Sequence, residues 1–384
     1  MSQKNVVILG STGSIGINTL KVIDRYPERF RVIGLTAYNN IALLERQVRK
    51  FKPTHVAVGP RGLGRFRGQV NGVKVFDVDH DLEELVSLPE ADIIIIGMRG
   101  GAALKPFLRA VRCGKRVAPA NKEALVMAGH ILMREARRHG ATVIPIDSEQ
   151  SAIFQCLQGQ DRALLKKILL TASGGALRKV ARSRFDRLTV KQILAHPRWK
   201  MGRKITVDSA FLMNKGFEVI EALRLFELDI SQIEVVIHPE AIIHSMVAFC
   251  DGSVIAQLGI TDMRLPIQYA LSYPERLPTG LKDLNFFDLK QLNFDRPDLK
   301  KFPALALCMT AARKGGTLPS VLNAADEIAV EAFLEGRIPF TRIIELVERT
   351  LSRHRLVKDP TVEQILEADV WARQETLSGI QRKR

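Results

Sequence analysis

The N-terminal segment constrains the fold most strongly, because an apolar run leads directly into a glycine-rich segment and then into an amphipathic stretch. Residues 6–9 are uninterrupted apolar sequence, residues 10–16 read Gly-Ser-Thr-Gly-Ser-Ile-Gly, and residues 17–25 have helical periodicity. Glycines at such a junction permit a tight turn and let backbone N–H groups approach a pyrophosphate at the start of a helix. The spacing is GxxGxxG rather than GxGxxG, so a purely structural turn is the alternative. Its position after a first strand favours a dinucleotide site.

The same alternation of apolar runs and amphipathic stretches continues through residues 1–146. Short apolar runs of this kind are typical of parallel strands that are covered on both faces. Repeated strand–helix units predict a doubly wound, Rossmann-like parallel sheet. The predicted strands are residues 5–10, 30–37, 55–59, 92–97, 116–120 and 142–146.

The pattern changes after residue 146, which predicts further domains. Residues 147–273 combine interrupted helices with strand-like runs at 234–238 and 245–249 that face 253–258, as in an α+β catalytic domain. Residues 274–303 are rich in Pro, Asp, Asn and Phe without a sustained period, which indicates a linker. Residues 304–384 have helical periodicity and predict a bundle. The predicted class is therefore α/β, with a Rossmann-like sheet, a central α+β domain and a C-terminal helical bundle.

The formal net charge of +16 at pH 7 raises nucleic-acid binding as an alternative function. The excess is concentrated, since the segment from Asp161 to Lys204 contains thirteen basic and two acidic residues. Such a local field favours a small anionic substrate over a nucleic acid, and a basic surface without a specific partner is the alternative for most of these side chains. The apolar runs are far shorter than the ~18 residues of a membrane span, so no membrane partner is expected. The four cysteines are isolated, which favours the reducing cytoplasm.

The region beyond the glycine-rich segment indicates which cofactor is bound. NAD sites carry an acidic residue about twenty residues past the glycines, where it holds the ribose 2′-hydroxyl. Residues 35–40 contain no acid, whereas Asn39 and Asn40 offer amide donors beside Ala37. A carboxylate there would repel a 2′-phosphate, so NADPH is the predicted cofactor.

Two carboxylates at a predicted strand end suggest a metal site. Asp147 and Glu149 flank Ser148 directly after the predicted strand 142–146. On an extended segment, side chains two residues apart share a face, and oxygen ligands suit hard cations such as Mg²⁺ or Mn²⁺. Taken alone, this pattern is more often a helix N-cap than a metal site.

Polar donors further along the chain suggest a phosphate site. Ser209, Asn214 and Lys215 supply hydroxyl, amide and ammonium donors, and Glu218 follows Lys215 by about one helical turn. The alternative is an ordinary capped helix with an ion pair. Ser173 stands in a glycine-rich turn that offers another hydroxyl, and residues 196–202 have the composition of a mobile lid. Lys122 follows another predicted strand and reaches either a substrate oxygen or solvent.

Together these segments resemble the 1-deoxy-D-xylulose 5-phosphate reductoisomerase family. The family activity is a metal-assisted isomerisation followed by NADPH reduction to 2-C-methyl-D-erythritol 4-phosphate, and its members are homodimers. The resemblance covers nearly the whole chain, at residues 10–16, 119–126, 145–155, 171–178, 196–222, 238–247, 256–271 and 323–334.

The resemblance also implies roles for individual residues. Asp147, Glu149 and Glu218 match the metal ligands. Lys122, Ser148, Glu149 and His196 match the catalytic set. The substrate and its phosphate are implied to bind Lys122, Ser148, Ser173, His196, Ser209, Asn214, Lys215 and Glu218, with Trp199 and Met201 in the lid. The cofactor set comprises Gly10, Ser11, Thr12, Gly13, Ser14, Ile15, Ala37, Asn39, Asn40, Asn121, Glu123 and Gly202.

Five positions depart from the family pattern without removing a matched ligand: Tyr38, Arg99, Ala241, Thr261 and Asp326. Two other functions stay open from the residues alone. One is an NADP-dependent dehydrogenase of another phosphorylated sugar, which would need no metal site of three carboxylates. The other is a non-enzymatic, basic nucleic-acid-binding protein, which would not need to retain the acids and phosphate donors.

Overall fold

The computed structural model describes residues 3–67, 72–195 and 201–381, which form two compact units. The first unit comprises Met1–Ala124, His130–Ser151 and Asp262–Leu281, and the second comprises Leu125–Gly129, Ala152–Thr261 and Lys282–Arg384. Among the described residues, no helix has both the length and the apolar character needed to cross a membrane. All four cysteines lie in the described ranges, and each is a free thiol.

A parallel sheet of seven described strands forms the centre of the first unit. The strand order is β4-β3-β2-β1-β5-β6-β7, and every neighbouring pair is parallel. In β5 and in the second half of β1, every side chain is buried, as expected for a sheet covered on both faces. The predicted Rossmann-like sheet is therefore confirmed. Its strands are β1 Lys4–Leu9, β2 Phe30–Ala37, β3 His55–Val58, β4 Lys74–Asp77, β5 Ile93–Ile96, β6 Arg116–Pro119 and β7 Thr142–Val143.

Two details of this sheet differ from the sequence-based expectation. The strand β4 was not predicted, because Lys-Val-Phe-Asp contains only two apolar residues and has no recognisable period. The strand β7 ends at Val143 rather than at Ile146. The backbone nevertheless continues beside β6, since the N–H groups of Ile144 and Ile146 donate to Val117 and Pro119 at 2.9 Å each.

Helices connect these strands and also come from a distant part of the chain. The helix α11 was assigned to the catalytic domain from sequence, but it belongs to the first unit and packs against α1 and β6. The helices are α1 Ser14–Arg25, α2 Ile41–Phe51, α3 Pro60–Arg67, α4 Leu82–Val86, α5 Leu104–Arg112, α6 Lys122–Arg138, α7 Ser148–Cys156 and α11 Arg264–Ser272, with a 3-10 helix at Gly101–Ala103.

The second unit contains a mixed sheet of four described strands in the order β11-β10-β8-β9. The predicted pairing of 245–249 with 253–258 is confirmed by the antiparallel β10–β11 pair. The expected place of 234–238 beside 253–258 is wrong, because β9 pairs in parallel with β8, a strand that the sequence analysis missed. The strands are β8 Leu165–Ala172, β9 Ile233–Ile237, β10 Ile243–Phe249 and β11 Val254–Leu258.

Helices make up the rest of the second unit, and the last four form the predicted C-terminal bundle, in which α14 packs against α13, α15 and α16. The segment predicted as a linker contains one short helix, α12. The helices are α8 Val190–Ile193, α9 Arg203–Ala210, α10 Met213–Phe226, α12 Phe286–Leu289, α13 Pro303–Lys314, α14 Leu318–Leu334, α15 Arg342–Arg353 and α16 Val362–Gln381. Short 3-10 helices lie at Arg162–Leu164, Arg182–Arg187 and Ile230–Gln232.

The contact between α1 and the turn before it yields a stability prediction. A Cβ atom on Gly16 would lie 2.4 Å from the Ser11 Cα and 2.5 Å from the Gly10 carbonyl oxygen, both of which are backbone atoms. We expect Gly16→Ala to lower the free energy of unfolding by about 1–3 kcal/mol in urea denaturation. Gly64→Ala in α3 is the matched control, because its Cβ would meet no heavy atom within 4 Å. The control should gain about 0.5–1 kcal/mol through helix propensity. Equal stability of the two variants would contradict this packing.

Candidate active site

The glycine-rich turn lies at the point where the strand order of the first sheet reverses, between β1 and β5. Gly10 has φ +85°, and a Cβ on it would lie 2.9 Å from the Gly97 carbonyl carbon and from the Met98 nitrogen. Only glycine allows the backbones that follow the two strands to approach this closely. Ligands of open α/β sheets bind in the crevice at such a reversal, beyond the carboxyl ends of the strands.

The N-terminus of α1 opens into this region. The helix begins at Ser14 with Gly13 as its N-cap, without a side-chain cap and without an acid in its first turn. Gly13 and Ser14 are exposed, and Thr12 and Ile15 are partly buried. Since the first N–H groups of a helix have no partner within the helix, this arrangement is suited to a phosphate group.

Ser11 holds the glycine-rich turn against β2 and α2. Its N–H donates to the Thr36 carbonyl oxygen at 2.8 Å, its hydroxyl lies 2.7 Å from Gln47 Oε1, and its carbonyl accepts from Gln47 Nε2 at 2.9 Å. The side chain is fully buried. These hydrogen bonds of Ser11 are made within the chain, and its place in the cofactor set stays a prediction. Thr36 and Gln47, which the sequence analysis missed, hold the turn in place.

The end of β2 presents the neutral residues that were predicted to face a 2′-phosphate. Ala37 is buried, Asn39 is exposed, and the Asn40 side chain caps α2 by accepting from the Leu43 N–H at 3.2 Å. The Tyr38 hydroxyl approaches the Asp79 carboxylate to 3.5 Å. Asp79 follows the unpredicted strand β4, so sequence periodicity carried no signal for it.

Asn121 links the carboxyl ends of β5 and β6. Its Nδ2 donates to the carbonyl oxygens of Met98 at 2.8 Å and Gly100 at 3.1 Å, and its Oδ1 accepts from the Ala124 N–H at 2.8 Å. The amide thereby fixes the backbone on both sides of Arg99, which is exposed. Glu123 lies in the first turn of α6 and is partly buried.

The structure brings together the four predicted polar residues of the first unit. Lys122 Nζ lies 2.5 Å from Asp147 Oδ2, and both side chains are largely buried. The Ser148 hydroxyl donates to Glu149 Oε2 at 2.5 Å, and carboxylate oxygens of Asp147 and Glu149 lie within 4.8 Å of one another. This proximity does not arise from an extended strand, as the sequence analysis assumed, because Ser148 and Glu149 already belong to α7.

In the second unit, Ser173 and Ser209 are brought together by their backbones. Gly175 has φ +67°, and a Cβ on it would lie 2.1 Å from the Ser209 carbonyl oxygen. The Gly175 N–H donates to Ser173 Oγ at 3.3 Å. The glycine-rich turn after β8 is therefore packed directly on the C-terminal half of α9, which carries Ser209.

The first turns of α10 hold the remaining predicted residues. Asn214 Nδ2 donates to Glu218 Oε1 at 2.6 Å, and Lys215 Nζ donates to Glu218 Oε2. Both Lys215 and Glu218 are buried, with side-chain exposures of 5% and 1%. Leu212, at φ 66°, makes the tight turn between α9 and α10. An amide, an ammonium and a carboxylate thus share one helix face, as the spacing predicted.

The predicted lid is described only in part. His196 and Trp199 lie outside the described residues. Met201 is partly buried, and Gly202 is the N-cap of α9. The Gly202 carbonyl oxygen accepts from the Thr206 N–H at 3.0 Å. Gly202 belongs to the second unit, whereas the other predicted cofactor residues belong to the first.

A buried charged cluster in the second unit was missed from sequence. Lys204 Nζ lies 2.8 Å from Asp208 Oδ2 and 2.6 Å from Asp326 Oδ2. Asp326 is one of the departures from the family pattern, and here it forms an ion pair. Burial and the nearby carboxylates of Asp326 and Asp208 raise the pKa of the Cys308 thiol, which keeps it neutral. The available signal was the acid Asp326 within the largely apolar helix α14.

Of the other departures, Ala241 has φ 54° in the turn between β9 and β10. Thr261 is partly buried in the turn before α11.

Each unit carries polar groups that suit a ligand. The first unit provides a helix N-terminus at a crevice, a lysine and two adjacent carboxylates. The second unit provides hydroxyl, amide and ammonium donors and a buried carboxylate. Carboxylate oxygens are ligands that Mg²⁺ and Mn²⁺ accept, and hydroxyl, amide and ammonium donors are the groups that bind phosphate oxygens. The donor types therefore fit a divalent ion and a phosphorylated ligand.

Comparisons with known proteins agree with these features over the whole chain. Residues 6–129 match the sequence profile of 1-deoxy-D-xylulose 5-phosphate reductoisomerase, and residues 143–226 match the profile of its C-terminal domain. Residues 258–375 match the profile of the DXP reductoisomerase C-terminal domain. The reductoisomerase of Pelotomaculum thermopropionicum is 50% identical over 375 residues, which cover 97% of this chain and 97% of that protein.

Solved structures show the same similarity. The reductoisomerase of Zymomonas mobilis in complex with NADPH has a TM-score of 0.93 and 38% identity, covering 99% of this chain and 100% of that one. A DOX-P reductoisomerase in complex with NADPH, fosmidomycin and magnesium has a TM-score of 0.93 and 39% identity, covering 98% of each chain. By its full-length similarity, this chain belongs to the 1-deoxy-D-xylulose 5-phosphate reductoisomerase family.

Proposed function

We propose that this chain converts 1-deoxy-D-xylulose 5-phosphate into 2-C-methyl-D-erythritol 4-phosphate, using NADPH and Mg²⁺ or Mn²⁺, in isoprenoid precursor synthesis. The observation that carries the proposal is the 50% identity to a reductoisomerase over 97% of the chain. Solved relatives hold NADPH, and one holds NADPH with magnesium and fosmidomycin.

Asp147, Glu149 and Glu218 are the proposed ligands of the divalent ion. The choice is supported by their oxygen chemistry, by the proximity of Asp147 to Glu149, and by the near-complete burial of Glu218. When bound, the ion supplies a Lewis acid for the ketone and hydroxyl oxygens of the substrate. Lys122 and Ser148 are placed beside the two carboxylates of the first unit, where they can donate to the same substrate oxygens.

The phosphate is proposed to bind Ser173, Ser209, Asn214 and Lys215. Their support is the packing of the Ser173 turn on α9 and the shared face of Asn214 and Lys215 on α10. A fixed phosphate anchors the substrate and orients its reacting carbons, which converts binding energy into positioning. His196 stays a prediction as a further phosphate-binding and catalytic residue, and Trp199 and Met201 stay predictions as residues of the lid.

NADPH is proposed to bind with its pyrophosphate at the N-terminus of α1. The exposed Gly13 and Ser14 and the absence of an acid in the first turn of the helix support this placement. The neutral residues Ala37, Asn39 and Asn40 leave room for the 2′-phosphate without a neighbouring negative charge on that segment. Asn121 supports the site by holding the backbone beside Gly97, and Glu123 and Gly202 stay predictions.

We also propose that the protein is a cytoplasmic homodimer. The free thiols fit a reducing compartment. For the dimer, the support is β11, an edge strand whose Val254 and Ile255 are 50% and 37% exposed. An apolar edge of this kind is normally covered.

Light scattering tests the dimer. We expect the wild-type protein to have about twice the chain mass of 42.9 kDa. The double variant Val254→Lys with Ile255→Lys should have a lower mass. A wild-type mass of a single chain would refute the dimer.

Product analysis tests the proposed reaction directly. We expect NADPH oxidation with 1-deoxy-D-xylulose 5-phosphate to require Mg²⁺ or Mn²⁺, to stop with a chelator, and to be much slower with NADH. The product should have a branched carbon skeleton by NMR. A reduced sugar with an unbranched chain would instead identify the dehydrogenase without rearrangement. Binding to duplex DNA without any NADPH oxidation would favour the nucleic-acid-binding alternative.

Glu218→Gln tests the metal assignment, because the amide keeps the shape but removes the charge. We expect turnover to fall by about a hundredfold or more, with NADPH affinity unchanged in fluorescence titration. Glu227→Gln is the matched control, since Glu227 is exposed at the C-cap of the same helix and should retain activity. Wild-type turnover of Glu218→Gln across limiting Mg²⁺ concentrations would show that Glu218 is not a ligand.

A further inference from the structure

A single ammonium group connects three helices of the second unit. Lys204 lies in the first turn of α9, and its Nζ is 2.8 Å from Asp208 Oδ2 one turn further along that helix. The same atom is 2.6 Å from Asp326 Oδ2 on α14. It also lies 4.8 Å from the ring centroid of Phe217 on α10, which is cation–π distance. Lys204 therefore ties α9 to α10 and to the helical bundle.

The partners of Lys204 are sequence neighbours of the proposed ligand-binding residues. Asp208 immediately precedes Ser209 on α9, and Phe217 immediately precedes Glu218 on α10. A helix moves as a rigid element, so a shift of α9 relative to α10 would carry Ser209 away from the donors on α10. The contacts of Lys204 oppose that shift.

Burial makes these contacts strong. The side chains of Asp208 and Asp326 are 3% and 0% exposed, and that of Lys204 is 23% exposed. Both buried carboxylates contact the Lys204 ammonium, and charges interact more strongly away from water. A neutral side chain at position 204 would remove these favourable interactions from the junction of the helices.

We propose that Lys204 is a positioning residue, which holds α9 against α10 and α14 and thereby sets the places of Ser209 and Glu218. This inference rests on the proposed function, in which Ser209 binds the phosphate and Glu218 binds the metal. Lys204 itself contacts neither the substrate nor the cofactor in this account. Asp326 is its anchor on the bundle.

Steady-state kinetics provide the first test. We expect Lys204→Gln to raise the KM for 1-deoxy-D-xylulose 5-phosphate and the Mg²⁺ concentration for half-maximal rate, each by about tenfold, because small displacements of binding groups are costly. The KM for NADPH should change less than the KM for the substrate, since Gly202 is the one predicted cofactor residue beside α9 and the others lie in the first unit. Lys204→Arg keeps the charge and should recover most of the loss. Asp326→Asn should raise the same two constants by a smaller factor, and it provides the test if Lys204→Gln does not fold.

Two comparisons separate positioning from simple charge attraction. Lys191→Gln removes a positive charge from an exposed position of α8, which adjoins α9, and it should leave both constants unchanged. The double variant Lys204→Gln with Asp326→Asn should be no worse than Lys204→Gln alone, because both changes break one contact. An equal effect of Lys191→Gln, or fully additive effects in the double variant, would overturn the proposal.

Hydrogen exchange gives a readout that does not depend on turnover. In Lys204→Gln we expect faster amide exchange in Arg203–Ala210 of α9 and unchanged exchange in Val362–Gln381 of α16. Faster exchange in α9 in a protein without reductoisomerase activity would refute the proposed function but support the positioning role of Lys204. Unchanged exchange in α9, or equal acceleration in α16 through general loss of stability, would overturn that positioning role even in an active enzyme.

Discussion

The close approach of two backbones at the reversal of the strand order is the constraint on which the first unit depends. Gly10 and Gly97 follow β1 and β5, and no side chain fits between them. This contact, together with the bonds of Thr36 and Gln47 around Ser11, fixes the turn that leads into α1. The helix N-terminus is consequently held at the edge of the sheet where a phosphate can reach it. The dinucleotide site is therefore a property of packing as much as of the motif.

The same edge of the sheet also determines the carboxylate site. The backbone after β7 continues along β6 until Ile146, whose N–H donates to the Pro119 carbonyl oxygen. Three residues after Pro119 stands Lys122, and one residue after Ile146 stands Asp147, so the register alone brings the two together. Lys122 then provides the positive charge that makes the partial burial of Asp147 tolerable. Two adjacent carboxylates at this place carry a cost for the fold that a divalent cation would offset.

In the second unit, packing arranges neutral and positive donors on helices. The Ser173 turn contacts α9 without an intervening side chain at Gly175, and the αL residue Leu212 places α10 directly after α9. The buried Glu218 is held by Asn214 and Lys215 on its own helix. Lys204 adds the connection to the bundle through Asp326. The helical C-terminal part of the chain thus supports the donors of the proposed phosphate site.

Features that depend on local pattern could be predicted from the amino-acid order. These are the strand–turn–helix start, the alternating units, the C-terminal helices and the donor types at Asp147, Glu149, Asn214, Lys215 and Glu218, because periodicity and residue chemistry are readable within a few residues. The folded chain was needed to show that β8 lies between β9 and β10, that α11 packs with the first unit, that Ser11 faces inward and that Lys204 reaches Asp326. Each of these depends on contacts between residues distant in the chain, and a local pattern carries no information about which distant surface will bury a given side chain.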